Sequence, residues 1–341
     1  MLNFDTVRAW AAPALVQAIA TAVSSLPERP GQLAVAVSGG PDSAMLAVHA
    51  LVFGRRESIG VHFLHVHHGL QAHADQWQAH VHDLANMLQA PCHSRRVEVD
   101  GIEGYGIESA ARDARYTALA QLAGHAGVRH ILLAHHRNDQ AETVLLRLLR
   151  GAGPTGLAAM APVSRRQGII YFRPWLDVDR AGILDQAESF GAMSGWDPVR
   201  DPTNADDKYT RAAVRQRLVP ELNARWPGWQ GNVARHARLS GEVSQVLAEV
   251  AADDYARLDP SADGCGFSLQ AWRGLSVARQ ALVLRYWLSL HGQRMPSDAR
   301  LQNIMRQLRG LHALGHDREM RVKHGAAWIR CVRGRVVLTR E

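Results

Sequence analysis

Apolar and polar positions alternate along the first half of the chain in a pattern that predicts strands separated by helices. The run Leu33–Val37 is short and continuously apolar, which is typical of a strand buried on both faces of a parallel sheet. The other predicted strands are 59–66, 93–99, 131–134 and 169–172, and the predicted helices are 43–53, 74–88, 108–126, 139–150 and 183–190. The chain therefore predicts an α/β fold with a doubly wound, five-stranded parallel sheet, which binds its ligands at the carboxyl ends of the strands.

The pattern changes in the second half, where helices come first and short strands follow. A segment rich in proline and aspartate, residues 195–209, ends the alternating part. Two long amphipathic stretches and a third helix capped by Ser297 come next; the apolar positions of that third helix follow the spacing i, i+3, i+4, i+7 at Leu301, Ile304, Met305 and Leu308. Three short apolar runs joined by glycine turns then predict a small β meander; they are 318–323, 327–332 and 336–339. We predict two domains, residues 1–217 and a mainly helical 218–341.

Composition and charge narrow the class of protein. The formal net charge is +7, and the stretch 318–341 holds seven arginine or lysine residues against two glutamates, which suits a polyanionic partner. The three cysteines lie far apart without a CxxC pair, so we predict a cytosolic protein with neither a zinc knuckle nor a disulfide framework. No run reaches the roughly 18 apolar residues of a membrane span. The apolar stretch 10–23, interrupted by Pro13, predicts a helix packed on the domain and not a signal peptide.

The loop Ser38-Gly39-Gly40-Pro41-Asp42-Ser43 is the most informative stretch, because it lies between a predicted buried strand and a helix. Glycines let the backbone approach a phosphate closely, and the helix N-terminus adds donors and positive potential. A Walker loop would need GxxxxGK[ST] and a dinucleotide loop would need GxGxxG, and neither is present. Asp42 is either a helix cap or a carboxylate that binds Mg²⁺.

A second group of polar residues follows the fourth predicted strand. His135 and His136 stand at the carboxyl end of that strand, where a doubly wound sheet builds its site. Asp139 and Glu142 come at the start of the next helix, where they would bind Mg²⁺ or an ammonium group, or else interact with the helix dipole. This pairing predicts a catalytic role for the group.

Basic and imidazole side chains elsewhere in the first half allow two interpretations each. Arg112 and Arg115 are three positions apart on one helix and share a face, either to stabilise phosphate or as a solvated surface. Five histidines crowd around the second strand; they are His62, His65, His67, His68 and His73. Because strand alternation separates His68 from His65 and His67, we do not predict a zinc site.

The loop Ser38–Ser43 resembles the pyrophosphate loop of the ATP pyrophosphatases, whose fold is of the adenine nucleotide alpha hydrolase type and which break ATP between the α and β phosphates. Six further stretches, in this order, resemble the tRNA(Ile)-lysidine synthetase family. They are His65–Leu70, Glu108–Tyr116, His135–Thr143, Arg150–Leu157, Arg173-Pro174 and Asp201–Asn204. The resemblance is strong over residues 30–225 and looser beyond.

This resemblance implies ATP and Mg²⁺ as cofactors, with L-lysine and a tRNA(Ile) carrying a CAU anticodon as substrates. The C2 oxygen of the wobble cytidine would take AMP from ATP, and lysine would then displace AMP to form lysidine. The implied catalytic residues are Asp42, His135, Asp139, Arg112 and Arg115, with Asp42 on the metal. The implied phosphate-binding residues are Ser38, Gly39, Gly40, Pro41, Asp42 and Ser43, and the implied substrate-binding residues are His136, Glu142, Arg150, Gly151 and Arg211. Arg215 and Arg217, beyond Arg211, would bind phosphate.

Two departures from the family pattern stand out. Asn138 replaces an acidic residue, and Ala212 replaces the asparagine expected after Arg211. Three other functions remain open: a tRNA thiolation enzyme, although cysteine pairs are lacking; a small-metabolite adenylating synthetase; and a tRNA-binding protein without catalysis. The sequence leaves the oligomeric state open.

Overall fold

The computed structural model describes residues 2–67, 69, 74–97, 107–199, 210–311 and 320–340, with the backbone alone for 107–109. The chain divides into two compact units, Met1–Gly241 and Glu242–Glu341. The histidines 68 and 73 and the segment 201–204, singled out above, lie outside the described residues.

A six-stranded sheet forms the centre of the first unit. Its strands are β1 (Gln32–Ala36), β2 (Gly60–His67), β3 (Cys92–Arg96), β4 (His130–Leu132), β5 (Val163–Arg166) and β6 (Ile169–Phe172). Their order is β3-β2-β1-β4-β6-β5, and β5 alone runs antiparallel, against β6. The five predicted parallel strands are therefore confirmed, and the structure adds an antiparallel edge strand. Gln167 and Gly168, with φ of 51° and 77°, form the tight turn that joins β5 to β6.

Helices cover the sheet and alternate with its strands. They are α1 (Phe4–Trp10), α2 (Pro13–Ser24), α3 (Pro41–Arg56), α4 (Ala74–Met87), α5 (Ile107–His125), α6 (Arg137–Leu149), α7 (Pro154–Leu157) and α8 (Arg180–Ser194). Pro13 separates α1 from α2 because its fixed φ suits the first position of a helix. Among the described residues no single helix is long and apolar enough to cross a membrane, although α1 and α2, bent by 93°, reach that length and composition together.

Alternate residues of the strands pack into two hydrophobic clusters, which gives the first unit its layers. Val35 and Phe63 lie in one cluster with α2, α3 and α8, while Ala34 and Leu64 lie in the other with α5. Helix α3, which carries the phosphate loop at its start, is buried over most of its length. This burial fixes the start of α3 against the end of β1.

A helical segment closes the first unit. It runs through α9 (Thr210–Ala213), a π-helical turn (Val214–Leu218) and α10 (Val219–Arg225). Pro220 has no N–H to donate to the preceding turn, which accounts for the change of hydrogen bonding there. Helix α11 (Trp229–Ala256) contains the boundary between the two units.

The second unit combines helices with a small antiparallel sheet, as predicted. Its helices are α12 (Leu269–Arg273), α13 (Val277–Leu290) and α14 (Asp298–Gly310), and its strands are β7 (Gly266–Ser268), β8 (Arg321–His324), β9 (Ala327–Val332) and β10 (Arg335–Arg340). The strand order is β7-β10-β9-β8. The Ser297 hydroxyl caps α14 by accepting a hydrogen bond from the Arg300 N–H. The four apolar positions of α14 are buried against Trp272, Trp287 and one face of the sheet.

Candidate active site

A cleft of about 640 Å³ opens at the carboxyl edge of the first unit's sheet. The strands β1 and β4 are neighbours there, at the point where the chain passes from one half of the sheet to the other. Such a point is where doubly wound sheets bind their ligands. The polar side chains that line the cleft include Ser38, Asp42, Ser43, His65, His67, Arg115, His135, Asp139, Arg180, Arg211 and Arg215.

The loop between β1 and α3 depends on a glycine in the left-handed region. Gly39 has a φ of +92°, and its carbonyl accepts a hydrogen bond from the Val199 N–H at 2.9 Å. A Cβ at Gly39 would lie 3.3 Å from the side chains of both Val199 and Val81. The Ser43 hydroxyl accepts a hydrogen bond from the Ser38 N–H at 3.0 Å and so fixes the two ends of the loop. The loop therefore presents its backbone and the start of α3 to the cleft.

Two basic side chains contact the carboxylate of Asp42. Arg180 donates from Nε to Oδ1 at 3.2 Å and from Nη2 to Oδ2 at 3.1 Å. The Nε2 of His136 lies 3.6 Å from Oδ1 of Asp42. The fork of Arg180 matches the carboxylate in the two-bond geometry that gives strong charge-assisted hydrogen bonds. Asp42 is thus held in place at the second position of α3.

His136 and Asp139 cap the start of helix α6 reciprocally. The Nδ1 of His136 accepts from the Asp139 N–H at 3.3 Å, and the Oδ2 of Asp139 accepts from the His136 N–H at 3.2 Å. A neutral imidazole whose Nδ1 accepts carries its proton on Nε2. That Nε2 lies 3.3 Å from Asp139 Oδ2 and faces Asp42, so His136 links the two carboxylates.

Two arginines of the helical segment neutralise the acidic side chains of α6. Arg215 donates from Nε to Glu142 Oε1 at 2.6 Å and from Nη2 to Asp139 Oδ1 at 3.1 Å. Arg211 donates to Thr143 Oγ1 at 3.2 Å, and its Nε lies 3.8 Å from Glu142 Oε2. Glu142 is only 4% exposed, and among the described residues its Oε2 has no hydrogen-bond donor. One oxygen of a buried carboxylate thus remains available to a further donor.

His135 follows β4 directly and is a neutral imidazole in the cleft wall. Burial, followed by the charges of Arg173, Arg115, Arg112 and Arg211, lowers the pKa of His135 well below 6.5. Its Nδ1 is buried and makes no hydrogen bond to the described residues. At neutral pH the ring can therefore exchange a hydrogen bond with a substrate without carrying charge.

The structure brings most of the predicted site residues together. Those that line the cleft are Ser38, Gly40, Pro41, Asp42, Ser43, Arg115, His135, Asp139 and Arg211. Gly39, His136 and Glu142 lie directly behind this lining and contact it through the bonds described above.

Three predicted residues are not among the described residues that line the cleft. Arg112 is exposed, and its guanidinium lies 5.3 Å from the centre of the Tyr116 ring. Arg150 and Gly151 are exposed at the far end of α6. The loop that follows them is tied back by Arg147, which donates to the carbonyl groups of residues 156 and 159 at 2.7 and 2.9 Å.

The structure also places residues in the cleft that the sequence did not identify. Arg180, Trp77 and Val199 belong to this group, and Arg215, predicted only as a phosphate contact, turns out to bind two carboxylates. His65 lies there too, with its Nδ1 2.9 Å from the carbonyl of residue 37, and burial lowers the pKa of its ring. No local motif marks Arg180, since it simply occupies the first position of a capped helix.

The donors in the cleft fit a magnesium ion better than a zinc ion. Mg²⁺ prefers a few carboxylate oxygens together with substrate phosphates. Asp42 offers such oxygens beside the phosphate loop. Among the described residues, no group of three or more histidine, cysteine, aspartate or glutamate side chains has the arrangement of a metal site.

Comparison with known proteins identifies the family. Residues 13–222 match the model of a PP-loop domain, and residues 267–337 match the model of a TilS substrate binding domain. A tRNA(Ile)-lysidine synthase from Bordetella bronchiseptica is 58% identical over 323 residues, which cover 95% of this chain and 94% of that protein. The chain belongs to the tRNA(Ile)-lysidine synthase family. The resemblance predicted from the sequence is thereby confirmed.

More distant members of the family match most of the chain as well. The tRNA(Ile)-lysidine synthase of Polaromonas naphthalenivorans is 38% identical and covers 89% of this chain and 87% of its own length. That of Ralstonia nicotianae is 42% identical over 87% of this chain but only 64% of its own length. Among solved structures, the U34-tRNA thiolase NcsA from Methanococcus maripaludis superposes with a TM-score of 0.54 at 14% identity, covering 67% of this chain and 78% of that one. That likeness concerns the fold alone.

Proposed function

We propose that this chain joins L-lysine to C2 of the wobble cytidine in a tRNA(Ile) with a CAU anticodon, using ATP and releasing AMP and pyrophosphate. The observation that carries the proposal is one cleft in which a phosphate loop, a neutral histidine and three arginine-paired carboxylates meet. Membership of the family supplies the substrates.

The phosphate loop binds the triphosphate of ATP in this proposal. The backbone of residues 38–43 and the start of α3 provide donors and positive potential for the β and γ phosphates. Asp42 holds Mg²⁺ together with the phosphates, and this ion would neutralise charge that develops as the α–β bond breaks. Arg115, which lines the cleft, stabilises the transferred phosphate, while Arg112 adds positive charge from outside the lining.

The reaction then consists of two displacements. The C2 oxygen of cytidine attacks the α-phosphorus, the bond to the β-phosphate breaks and pyrophosphate leaves. The ε-amine of lysine next attacks C2, the C2–O bond breaks and AMP leaves with that oxygen. His135, whose neutral ring faces the cleft, hydrogen-bonds the base, and positioning by the cleft walls supplies most of the rate.

The second substrate is an amine, which suits the acidic side of the cleft. We place the ammonium group of lysine against Asp139 and Glu142, whose Oε2 still accepts a donor. Arg211 and Arg215 keep these carboxylates ionised and in position, and Asp139 accepts the proton that the amine loses. His136 sets the orientation of Asp139, while Arg150 and Gly151 contact the tRNA outside the cleft.

The second unit offers a surface suited to RNA. Strand alternation places Arg321, Lys323, Trp328 and Arg330 on the outer face of its sheet, opposite the buried face. The Arg321 guanidinium lies 4.0 Å from the centre of the Trp328 ring, and Lys323 lies 5.8 Å from it. Strands β8 to β10 contain no acidic residue. We infer that this face binds the phosphate backbone of the tRNA.

A single assay tests the enzymatic proposal. Protein is incubated with Mg²⁺, ATP, radiolabelled lysine and bacterial tRNA, and acid-precipitable label is counted after mild alkali, which hydrolyses aminoacyl esters but not lysine bound to a base. We expect alkali-stable, ATP-dependent label that Asp42→Ala abolishes. Release of AMP with tRNA but without label would instead favour another tRNA adenylating reaction, such as thiolation. Absence of both products would refute the proposal.

The RNA surface has its own test. In filter-binding titrations against salt, R321A/K323A should weaken tRNA binding and flatten the dependence of log Kd on log salt by about one to two, roughly one per lost phosphate contact. Arg257→Ala removes an exposed arginine elsewhere in the unit and serves as the control. An unchanged slope in R321A/K323A would exclude this face as the contact.

A further inference from the structure

Arg180 is the side chain that occupies Asp42 in the ligand-free cleft. It comes from the start of α8, far along the chain from Asp42, and uses both Nε and Nη2 to bind the two carboxylate oxygens. The side chain of Arg180 is 33% exposed and that of Asp42 is 23% exposed. Water and ions therefore reach the pair, so its hydrogen bonds can be exchanged for others.

The backbone beneath Arg180 is fixed, whereas its guanidinium is held only by the pair. The Arg180 N–H donates to Asn138 Oδ1 at 3.3 Å, and Asp179 caps α8 by accepting from the Ala181 N–H at 2.9 Å. Asp179 also forms an ion pair with Arg137. Any rearrangement at Asp42 is thus limited to the arginine side chain.

A divalent cation and Arg180 compete for the same two oxygens. A cation that binds Asp42 removes the negative charge that holds the guanidinium in place. A triphosphate on the loop 38–43 would bring several negative charges into the same cleft, and arginine forms its strongest pairs with phosphate oxygens.

We propose that Arg180 is a positioning residue which holds Asp42 until the metal–nucleotide complex binds, and which then transfers its hydrogen bonds to the polyphosphate. This inference rests on the ATP-dependent function proposed above. It assigns Arg180 two successive partners and predicts opposite effects of its removal on metal and on nucleotide. A residue that merely braced α8 against α3 would not produce opposite effects.

The test uses Mn²⁺ alone as the probe, followed by electron paramagnetic resonance, and ATP binding without metal in EDTA. In Arg180→Met, the Mn²⁺ affinity that depends on Asp42 should rise about tenfold, as expected for loss of a partly exposed, competing ion pair. ATP affinity in EDTA should fall by a similar factor. Arg180→Lys, which keeps the charge but loses the fork, should fall between Arg180→Met and wild type in both measurements.

Controls separate the outcomes. The double variant R180M/D42N should lose the added Mn²⁺ binding, and Arg166→Met, which breaks the exposed pair with Asp113, should change neither affinity. Mn²⁺ binding that is unchanged or weaker in Arg180→Met, or ATP binding that is unchanged, would overturn the inference. If wild type itself fails to bind ATP, the proposed function is at fault, and the Mn²⁺ result still decides whether Arg180 and a cation compete.

Discussion

The network of Arg215, Glu142 and Asp139 makes a quantitative prediction about buried charge. In Arg215→Met, the carboxylate of Glu142 keeps only Arg211 nearby, at 3.8 Å. Removing one partner of a buried ion pair typically costs about 3–5 kcal/mol, because the other charge stays buried without compensation. The side chain of Arg215 is 27% exposed, so solvent screening reduces this value, and we expect a loss of about 2–3 kcal/mol of unfolding free energy.

The second step of this prediction concerns its sign. Glu142→Gln keeps the size of the side chain but removes its charge, and on its own should cost about 1–2 kcal/mol through a weaker hydrogen bond to Arg215. The double variant R215M/E142Q should be more stable than Arg215→Met by about 1 kcal/mol, because a buried amide without a partner costs less than a buried carboxylate. A second mutation that restores stability is the signature of an uncompensated charge.

Urea denaturation followed by circular dichroism measures these differences. The exposed pair Arg166–Asp113, at 3.0 Å, supplies the matched control, since R166M and R166M/D113N should each stay within about 0.5 kcal/mol of wild type with no restoration. If the double variant R215M/E142Q instead shows the sum of both single losses, the charge of Glu142 is not what Arg215 stabilises. The reasoning about the site's charge pairing would then be refuted.

Three further predictions concern single residues. Because the pKa of His135 lies well below 6.5, its ring proton resonances should not shift between pH 7.5 and 6, and a shift centred near pH 6.5 would contradict a neutral ring. Burial lowers the pKa of His49 to about 4, so the stability it contributes is complete above 6.5 and is lost as pH falls towards 4. The loss should reach about 3 kcal/mol at pH 4, and the His49→Gln variant should lack this part of the pH dependence of its unfolding free energy. Gly39→Ala should lose about 1–2 kcal/mol and bind ATP more weakly, because φ is +92° and the new Cβ would meet Val199 and Val81 at 3.3 Å; a variant with unchanged melting temperature and unchanged ATP affinity would show that the loop tolerates a side chain.

The parallel strands were predictable because a strand buried on both faces has to be apolar throughout. The run at β1 carries this signal, and all of the residues from Leu33 to Val37 are buried. Strand β5 could not be predicted in the same way. Its residues, Val163 to Arg166, are mostly polar or charged and alternate between exposed and half-buried, as suits an edge strand that must not pair with another chain.

The site was predictable where chemistry follows directly from a strand end, and not where it depends on distant segments. The loop after β1 and the histidines after β4 meet because parallel strands end at the same edge of the sheet. Arg180 reaches Asp42 across a separation of 138 residues, and Arg215 reaches Glu142 across 73. Nothing in the local sequence distinguishes these arginines from solvated ones, since only the packing of α8 and the helical segment 210–225 brings them to the cleft.

The balance of charge in the cleft explains why so many arginines surround so few acids. Among the described lining residues, four arginines stand against the carboxylates of Asp42 and Asp139, with Glu142 directly behind them. His135 adds no charge because its pKa is lowered. The acidic residues therefore orient the arginines without cancelling them, and the excess positive charge favours the phosphates of a nucleotide and of RNA. Asn138 fits this arrangement: its amide oxygen fixes the N–H of Arg180, and a carboxylate at that position would instead have lowered the positive charge beside Asp42.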